Sequence, residues 1–359
     1  AGESHGPALA AIVTGLPAGL RLDKETIDAD LQRRQQGYGR SPRQQLESDE
    51  VEVLSGLRHG VTLGTPLTLV VRNRDHANWT WGMSPWPPEG EPSGKGTKPV
   101  TLPRPGHADL AGVLKFGHDD VRNALERASA RHTAVHVAAG AVAKALLREL
   151  GIAVEGRPIE VGGESGDERM RAATDAARKD RDTLGGIVEV VATGVPPGLG
   201  SYAEKRDRLD ARLAAALMGI QAVKSVEIGD GLALARRRGA EAHDEIDPGL
   251  LRRSNRAGGI EAGVSNGEPV VVRAAMKPLP TLMRPLDSVD LASGEPAQAL
   301  VERSDVQAVE ALAVVAEAAV AFELARAALE KLGGDSLVDV RAAHDAYLGR
   351  IGDLWRPRT

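Results

Sequence analysis

Apolar and polar positions change period along this chain in a way that recurs. At 12–34, "IVTGLPAGLRLDKETIDADLQRR" runs a β-branched stretch into Gly-Leu-Pro-Ala-Gly-Leu and then into a polar segment with Leu and Ile at helical spacing. At 189–215, "EVVATGVPPGLGSYAEKRDRLDARLAA" repeats the pattern around Gly-Val-Pro-Pro-Gly-Leu. A strand that stops on a tight turn and re-enters as a helix accounts for both, because Gly and Pro supply the backbone angles of a sharp reversal. Each stretch is followed by a β-rich segment, "TPLTLVVRN" at 65–73 and "EPVVVRAAMKP" at 268–278. Each also has a long Ala-rich helix, over 133–150 and 314–332, ending at Gly151 and Gly333, where a helix terminus needs a residue free of Cβ. The pattern predicts an α+β chain that packs as one body, with an internal pseudo-repeat whose halves are roughly 1–185 and 186–335, too long a period for a solenoid. Two unrelated α+β segments with similar turns are the alternative.

Between Asn73 and Arg104 the periodicity lapses. "NRDHANWTWGMSPWPPEGEPSGKGTKPVTLPR" holds Trp79, Trp81 and Trp86 among Pro, Gly and Ser and reads as an irregular loop over 73–104: a lid, a binding loop or a surface insertion. With only 3% aromatics in 359 residues, the core has to be filled by Ala, Val, Leu and Ile. The absence of Cys excludes disulfides, thiolate metal sites and Cys nucleophiles. A formal net charge of −5 gives no global attraction to nucleic acid or membrane, so any anion site must be built locally. No apolar run approaches the roughly 20 residues of a membrane span, and a cytoplasmic protein is expected. The opening residue is not Met, so a few N-terminal residues are expected to be missing.

The cations are clustered. "LQRRQQGYGRSPRQQ" puts Arg33, Arg34, Arg40 and Arg43 around a Gly-Tyr-Gly turn; a solvated helix face explains Arg33, whereas Arg40 invites a function. "RPGHAD" carries Arg104 and His107 on a Pro-Gly turn, and "RASAR" places Arg127, Ser129 and Arg131 where the first Ala-rich helix begins. Guanidinium forks, hydroxyls and a helix N-terminus together suit phosphate or carboxylate. In the other half, "AMKPLPT" offers Lys277 and Thr281, "ERSDV" offers Arg303, Ser304 and Asp305, and "NRAGGIEAGVSNG" is Gly-rich enough for a flat ring to approach the backbone. Helix capping is the ordinary reading of Ser304 and Asp305. No P-loop, dinucleotide fingerprint, GxSxG or HExxH occurs. His132 and His136 share a helix face, but no third metal ligand accompanies them, which favours a structural role.

The blocks "AGESHG", "RRQQGYGRSPR", "LSGLRHGVTLGTPL", "RPGHADLAGVLKFG", "DDVRNALERASARHTAVHVAAG", "MGIQAVKSVEIGDG", "NRAGGIEAGVSNGEPVVVRAAMKP" and "RSDV", in this order, resemble the chorismate synthase family from Ala1 to about Leu332. The resemblance implies a lyase that converts 5-enolpyruvylshikimate 3-phosphate to chorismate by anti 1,4-elimination with reduced FMN. It also implies two antiparallel four-stranded sheets sandwiched with flanking helices, and a homotetramer. It makes His5 the proton donor to the leaving phosphate, His107 the group that stabilises and protonates reduced flavin, and Asp305 a relay from flavin, with Ser4 and Ser129 as hydrogen-bonding partners. Arg34, Arg40, Arg104 and Arg131 would grip substrate. Arg127, Ala128, Ser129, Gln221, Ala222, Ala262, Lys277, Thr281 and Arg303 would line FMN, with Gln221 and Ala222 from the same or a neighbouring subunit and Lys277 and Thr281 towards the flavin phosphate.

The chain departs from the family where Arg131-His132-Thr133-Ala134 replaces an Arg-Glu-Thr-Ala block and His136 replaces an Arg. The Trp-rich 74–98 segment also departs and is expected to lie clear of the residues just named, and the chain is expected to stop soon after the second Ala-rich helix. With no separate nucleotide fold, reduced flavin is expected from an external reductase or other supply. A chain that itself reduces FMN with NADPH is one alternative. An oligomeric binder of nucleic acid or another polyanion is the other, and the acidic balance argues against it.

Overall fold

The computed structural model describes residues 1–40, 48–248, 250, 252–302, 304–352 and 354. The first half begins with strand β1 (Ala8–Val13), helix α1 (Lys24–Gln35), strand β2 (Val51–Ser55), the short hairpin β3 (Leu57–Arg58) and β4 (Val61–Thr62), and strand β5 (Leu67–Arg72). Helices α2 (Asp109–Phe116), α3 (Arg122–Ala128) and α4 (Thr133–Glu149) follow, then strand β6 (Ala153–Val161) and helix α5 (Asp167–Lys179). The second half runs through β7 (Gly186–Thr193), α6 (Leu209–Met218), β8 (Val223–Ile228), α7 (Gly239–Ala242), the hairpin β9 (Ile260–Glu261) and β10 (Val264–Ser265), and β11 (Val270–Met276). A small ribbon, β12 (Asp287–Val289) with β13 (Pro296–Gln298), precedes α8 (Val309–Leu332) and α9 (Leu337–Ile351).

Alternation decides which way each strand faces. Along β11, Val270, Val272, Ala274 and Met276 are buried while the residues between them are not, the signature of a sheet with one face on the core. β11 pairs antiparallel with β7 and β8, and β6 adds to the other edge of β7, giving the order β6-β7-β11-β8. In the first half β5 is central, with β1 and β2 on its two edges. This sheet has three strands among the described residues, not the four expected. The reason is the path of the chain: after α4 it turns at Gly151 into β6, whereas after α8 it passes Gly333 and Gly334 and enters α9, capped by Ser336.

Helix α4 packs on β1 and β5, α8 packs on β6 and β7, and the two helices pack on each other, so the layers run sheet, helices, sheet. The helices expected on the flanks are the filling. Their approach is closest at Gly140, where a Cβ would fall 2.3 Å from Ala318 Cβ, and Ala lines most of both helices. This is how a core so poor in aromatics closes: small side chains let backbones approach until dispersion contacts replace the volume that rings would fill. The buried apolar cluster takes in residues of both halves, from Leu9 to Val340.

The two Gly-Pro turns are built alike. Thr62 Oγ1 donates to Pro17 O (2.6 Å) and accepts from the Leu20 N–H (2.9 Å), while the Gly19 N–H donates to Thr62 O (3.0 Å). Ser265 Oγ donates to Pro196 O (2.6 Å) and accepts from the Leu199 N–H (2.8 Å), while the Gly198 N–H donates to Ser265 O (2.8 Å). Helix α9, absent from the expectation that the chain ends soon after α8, reaches both turns: the Leu337 N–H donates to Ala18 O, and Tyr347 donates to Pro197 O.

Candidate active site

Ser4 and His5 lie in a turn before β1 and face the end of α3. Ser129 Oγ is 3.2 Å from Ser4 Oγ. The His5 backbone N–H donates to Glu126 Oε2 (2.8 Å), and its ring Nδ1 is 2.9 Å from Glu126 Oε1. Glu126 is 3% exposed, and a carboxylate held so far from water keeps its charge only with such partners. Arg122, one turn earlier on α3, places its guanidinium 3.6 Å from the same carboxylate.

The Trp-rich segment does not lie clear of the site, contrary to the sequence-based expectation. Trp79 is buried and stacks on the His5 ring at 4.1 Å between centroids, with Arg122 over the indole at 5.0 Å. His76 Nδ1 is 3.0 Å from His5 O. Asp75 fixes the indole by accepting from Trp79 Nε1 (2.9 Å) and is itself paired with Lys95. Burial alone would raise the Asp75 pKa, but the hydrogen bonds from Asn78, Trp79 and Lys95 outweigh it and hold the carboxyl at about 2.

Beside this turn three of the four arginines expected to grip substrate, Arg34, Arg40 and Arg131, come together. Asp49, 2% exposed, accepts from Arg34 (2.8 Å) and from Arg131 (2.7 Å), so two guanidiniums share one carboxylate. Burial pushes the Arg34 pKa below its ordinary value, opposed by Asp49 and reinforced by the nearby positive charges of Arg131 and Arg40. Asn73, at the end of β5, accepts from Arg131 Nε (2.9 Å) and donates to Gly6 O (2.8 Å), tying the arginines to the His5 turn. Arg40 pairs with Asp305 at 2.8 Å. Arg33, read from sequence as a solvated helix residue, instead makes a two-pronged pair with Glu317 of α8.

The fourth arginine belongs to a second cluster. Arg104 Nε donates to Asp109 (2.8 Å), and Arg104 also reaches Thr281 Oγ1 (3.0 Å) and Glu302 (3.2 Å). His107 makes a short contact through Nδ1 with the same fully buried Asp109. Burial opposes ionisation of Asp109, yet the hydrogen bonds from His107 and Arg104 prevail and keep its pKa far below the usual carboxylate range.

Most of the expected cofactor residues are joined in a line. His132 Nδ1 is 2.8 Å from Ser129 O, a carbonyl that can only accept, so Nδ1 carries the proton and Nε2 accepts from Gln221 Nε2 (2.8 Å). Burial lowers the His132 pKa to about 4, with the Arg127 charge adding to it. Next to Gln221, the Ala222 carbonyl accepts from the Lys277 N–H (2.9 Å), and Lys277 Nζ donates to Gly106 O, one residue before His107. Ala128 and Arg127 extend the line along α3, Arg127 reaching Gly2 O at 3.4 Å. Neither Arg127 nor Lys277 has a carboxylate partner among the described residues, so both are available to an anion. Ala222 and Ala262 have positive φ, 67° and 51°, a conformation that costs a non-glycine residue about 1–2 kcal/mol and that concentrates at ligand sites. Ala262 lies on the exposed β9–β10 turn, and no hydrogen bond or ring contact joins it to this line among the described residues. Arg303 lies outside the described residues, as does Arg43.

Sequence reasoning missed Glu126, Asp49, Asn73, Trp79 and Asp109. Glu126 and Asp109 sit inside blocks already singled out, and a buried histidine or arginine beside an acidic residue was the available signal. His132 and His136 stack edge to face at 5.2 Å, and no group of three or more metal-type ligands exists among the described residues. No helix of the described residues is long and apolar enough to cross a membrane.

Comparison with known proteins identifies the family. The family model described as chorismate synthase matches residues 1–329. A chorismate synthase of Rubrobacter xylanophilus is 54% identical over 379 residues, covering 98% of this chain and 96% of the relative. One from Desulforudis audaxviator is 54% identical over 381 residues, covering 98% and 97%. A crystal structure of chorismate synthase superimposes with a TM-score of 0.78 at 37% identity, covering 98% of this chain and 97% of that one. The chain belongs to the chorismate synthase family, lyases of the shikimate pathway that convert 5-enolpyruvylshikimate 3-phosphate to chorismate and phosphate.

Proposed function

We propose that reduced FMN is held along the line from Arg127 through Ser129, Gln221 and Ala222 to Lys277 and Thr281, and that substrate binds between this line and the Arg34, Arg40 and Arg131 cluster. The observation that carries the reading is the continuity of the line: residues from both halves of the chain, implied by resemblance alone, are joined by backbone and side-chain hydrogen bonds that run through His132 and Gly106, and Arg127 and Lys277 stand among them with no carboxylate partner among the described residues. That donor set suits a flavin, whose phosphate needs cations and a hydroxyl and whose ring needs amide donors and acceptors. Because Lys277 and Thr281 meet the Arg104 and His107 cluster, the flavin phosphate belongs at that end.

The elimination breaks one C–O bond and one ring C–H bond and forms one C=C bond, with no net oxidation. Reduced flavin, when bound, supplies electron density to the allylic system during loss of phosphate. His5 delivers its proton to the departing phosphate oxygen, next to the Ser4–Ser129 hydroxyl pair. Arg34 and Arg131 bring two guanidinium forks together at Asp49, a donor chemistry that suits the carboxylates or phosphate of the substrate. Asp305, oriented by Arg40, takes the relay role for the proton released from the ring. The chain acts in the cytoplasm as a homotetramer, on flavin reduced elsewhere. Each monomer is a single domain built on a duplicated unit, as the matching Thr62 and Ser265 turns and the strand orders β1-β5-β2 and β7-β11-β8 support.

The test is an anaerobic assay of phosphate and chorismate from 5-enolpyruvylshikimate 3-phosphate, with chemically reduced FMN and then with oxidised FMN. Turnover with reduced flavin alone is expected, and Lys277→Ala is expected to weaken FMN binding by at least about tenfold, the loss of one charge-assisted hydrogen bond. Equal turnover without any flavin, or unchanged FMN affinity in Lys277→Ala, would refute the assignment.

A further inference from the structure

His5 is held on every side that the structure describes. Glu126 accepts two hydrogen bonds from it, the backbone N–H through Oε2 and the ring Nδ1–H through Oε1. His76 meets its carbonyl and Trp79 covers a face of its ring. The holders are themselves linked: Arg122 pairs with Glu126 and lies over Trp79, so His5, Glu126, Arg122 and Trp79 form a closed circuit of contacts. His107 repeats the device, with the buried Asp109 on its Nδ1.

We propose that Glu126 is a positioning residue that dictates which nitrogen of His5 exchanges a proton with substrate. Both atoms of its carboxylate can only accept, so Nδ1 of His5 stays protonated whatever the charge of the ring. The proton the imidazolium releases to the leaving phosphate is therefore the one on Nε2, and the neutral imidazole left behind is the Nδ1–H tautomer that Glu126 already binds. The transfer then needs no reorganisation on the Glu126 side, while Trp79 and Arg122 keep ring and carboxylate in register. This rests on the reading of His5 as the proton donor.

Glu126→Gln separates tautomer control from mere packing because it keeps the shape. The amide satisfies the His5 backbone N–H only with its oxygen there, which turns its NH2 towards Nδ1 and forces the proton of the neutral ring onto Nε2. Ring 15N shifts of His5, assigned with His5→Gln and read on the full chain without substrate or flavin at a pH where the ring is neutral, should show Nδ1–H in the parent and Nε2–H in Glu126→Gln. In the anaerobic assay kcat should fall by about 10²–10⁴-fold, the scale of a wrong-tautomer defect, with KM and FMN affinity each within about threefold. Glu126→Asp, which keeps an acceptor-only carboxylate, should keep Nδ1–H and recover part of kcat, and it supplies the comparison if Glu126→Gln fails to fold. An Nε2–H ring in the parent, or a Glu126→Gln protein that flips the tautomer without losing kcat, overturns the proposal. A parent chain that releases no phosphate with reduced FMN would instead remove the donor reading, since the ring shifts are independent of turnover.

Discussion

Glu317 is the place where the helical filling is most exposed to a single change. Its carboxylate, 2% exposed in α8, accepts from both prongs of Arg33 on α1 (2.9 and 2.9 Å), from Lys144 on α4 (2.5 Å) and from the Gly156 N–H of β6 (2.9 Å). Charge-assisted hydrogen bonds contribute about 1.5–3 kcal/mol each, but removing the ions from water costs several kcal/mol per ion, so the sum of four is not the net. The measurable quantity is the cost of breaking the network, about 3–5 kcal/mol when one partner of a buried pair is removed. Asp30 still holds Arg33 (2.8 Å) and Lys144 (2.5 Å), which places Glu317→Gln near about 3 kcal/mol, the lower end of that range. Urea denaturation should show a lower midpoint at unchanged slope. The pH dependence has a definite sign. Burial would raise the Glu317 pKa, but the Arg33 hydrogen bond and the Lys144 charge outweigh it and the pKa lies below the ordinary 4.5. The stability it contributes is complete above 4.5 and is lost as pH falls through the depressed folded-state value, so parent and variant should converge in acid. Replacing Arg33, Lys144 and Glu317 together by Met, Met and Leu should recover most of the loss, because an apolar cluster needs no compensating charge. A loss below about 1 kcal/mol in the single variant would show that the network is solvated and the reasoning wrong.

Two further outcomes follow from packing and burial. Gly140→Ala would drive a Cβ to 2.3 Å from Ala318 Cβ and 2.5 Å from its Cα, so it should destabilise by about 1–3 kcal/mol as overpacking despite the better helix propensity of Ala, read as a lower melting temperature; an unchanged or higher value would mean α4 and α8 can separate freely. His132 should titrate near pH 4 instead of 6.5 by NMR, and because its folded-state pKa is depressed by burial, the stability of the parent relative to His132→Gln should decline as pH falls from 6.5 towards 4; a ring that titrates at 6.5 would contradict its place against Gln221.

The parts of the fold legible in the sequence are those with local causes. Val270, Val272, Ala274 and Met276 take alternate positions along β11, Pro17 and Gly19 shape the turn after β1, and Gly151 and Gly333 follow α4 and α8, so strands, turns and long helices follow from short-range patterns. The layer order was not legible, since an Ala-rich helix buried on most faces has no strong polar side to say which neighbour it meets. Helix α9 was overlooked because its pattern is weak, with Leu337, Val340 and His344 as its buried positions. In the site, single residues within blocks were readable, but their partners were not. Asp49 is 82 positions from Arg131, and His5 is 121 from Glu126, separations across which no spacing rule operates. Trp79 was misjudged for a related reason: irregular backbone hides where a side chain goes.

The duplication proposed above also explains where the chemistry sits. The paired turns at Thr62 and Ser265 have kept the same three hydrogen bonds, because each has to reverse a strand onto a helix and any loss would strand buried polar groups. The segments entering the paired helices have no such common duty. Before α4 stand Ser129 and Arg131, bound to Ser4 and Asp49; before α8 stand Glu302 and Asp305, bound to Arg104 and Arg40. Each entry thus pairs its own polar side chains with residues distant in the chain, and Glu302 to Asp305 spans from one cluster to the other. Under the roles proposed above, a duplicated scaffold would supply two helix entries whose differing side chains separate the proposed proton donor His5 from the proposed relay Asp305. An elimination that must add a proton at one point of its substrate and take one from another needs such an asymmetric pair, which two identical halves could not provide.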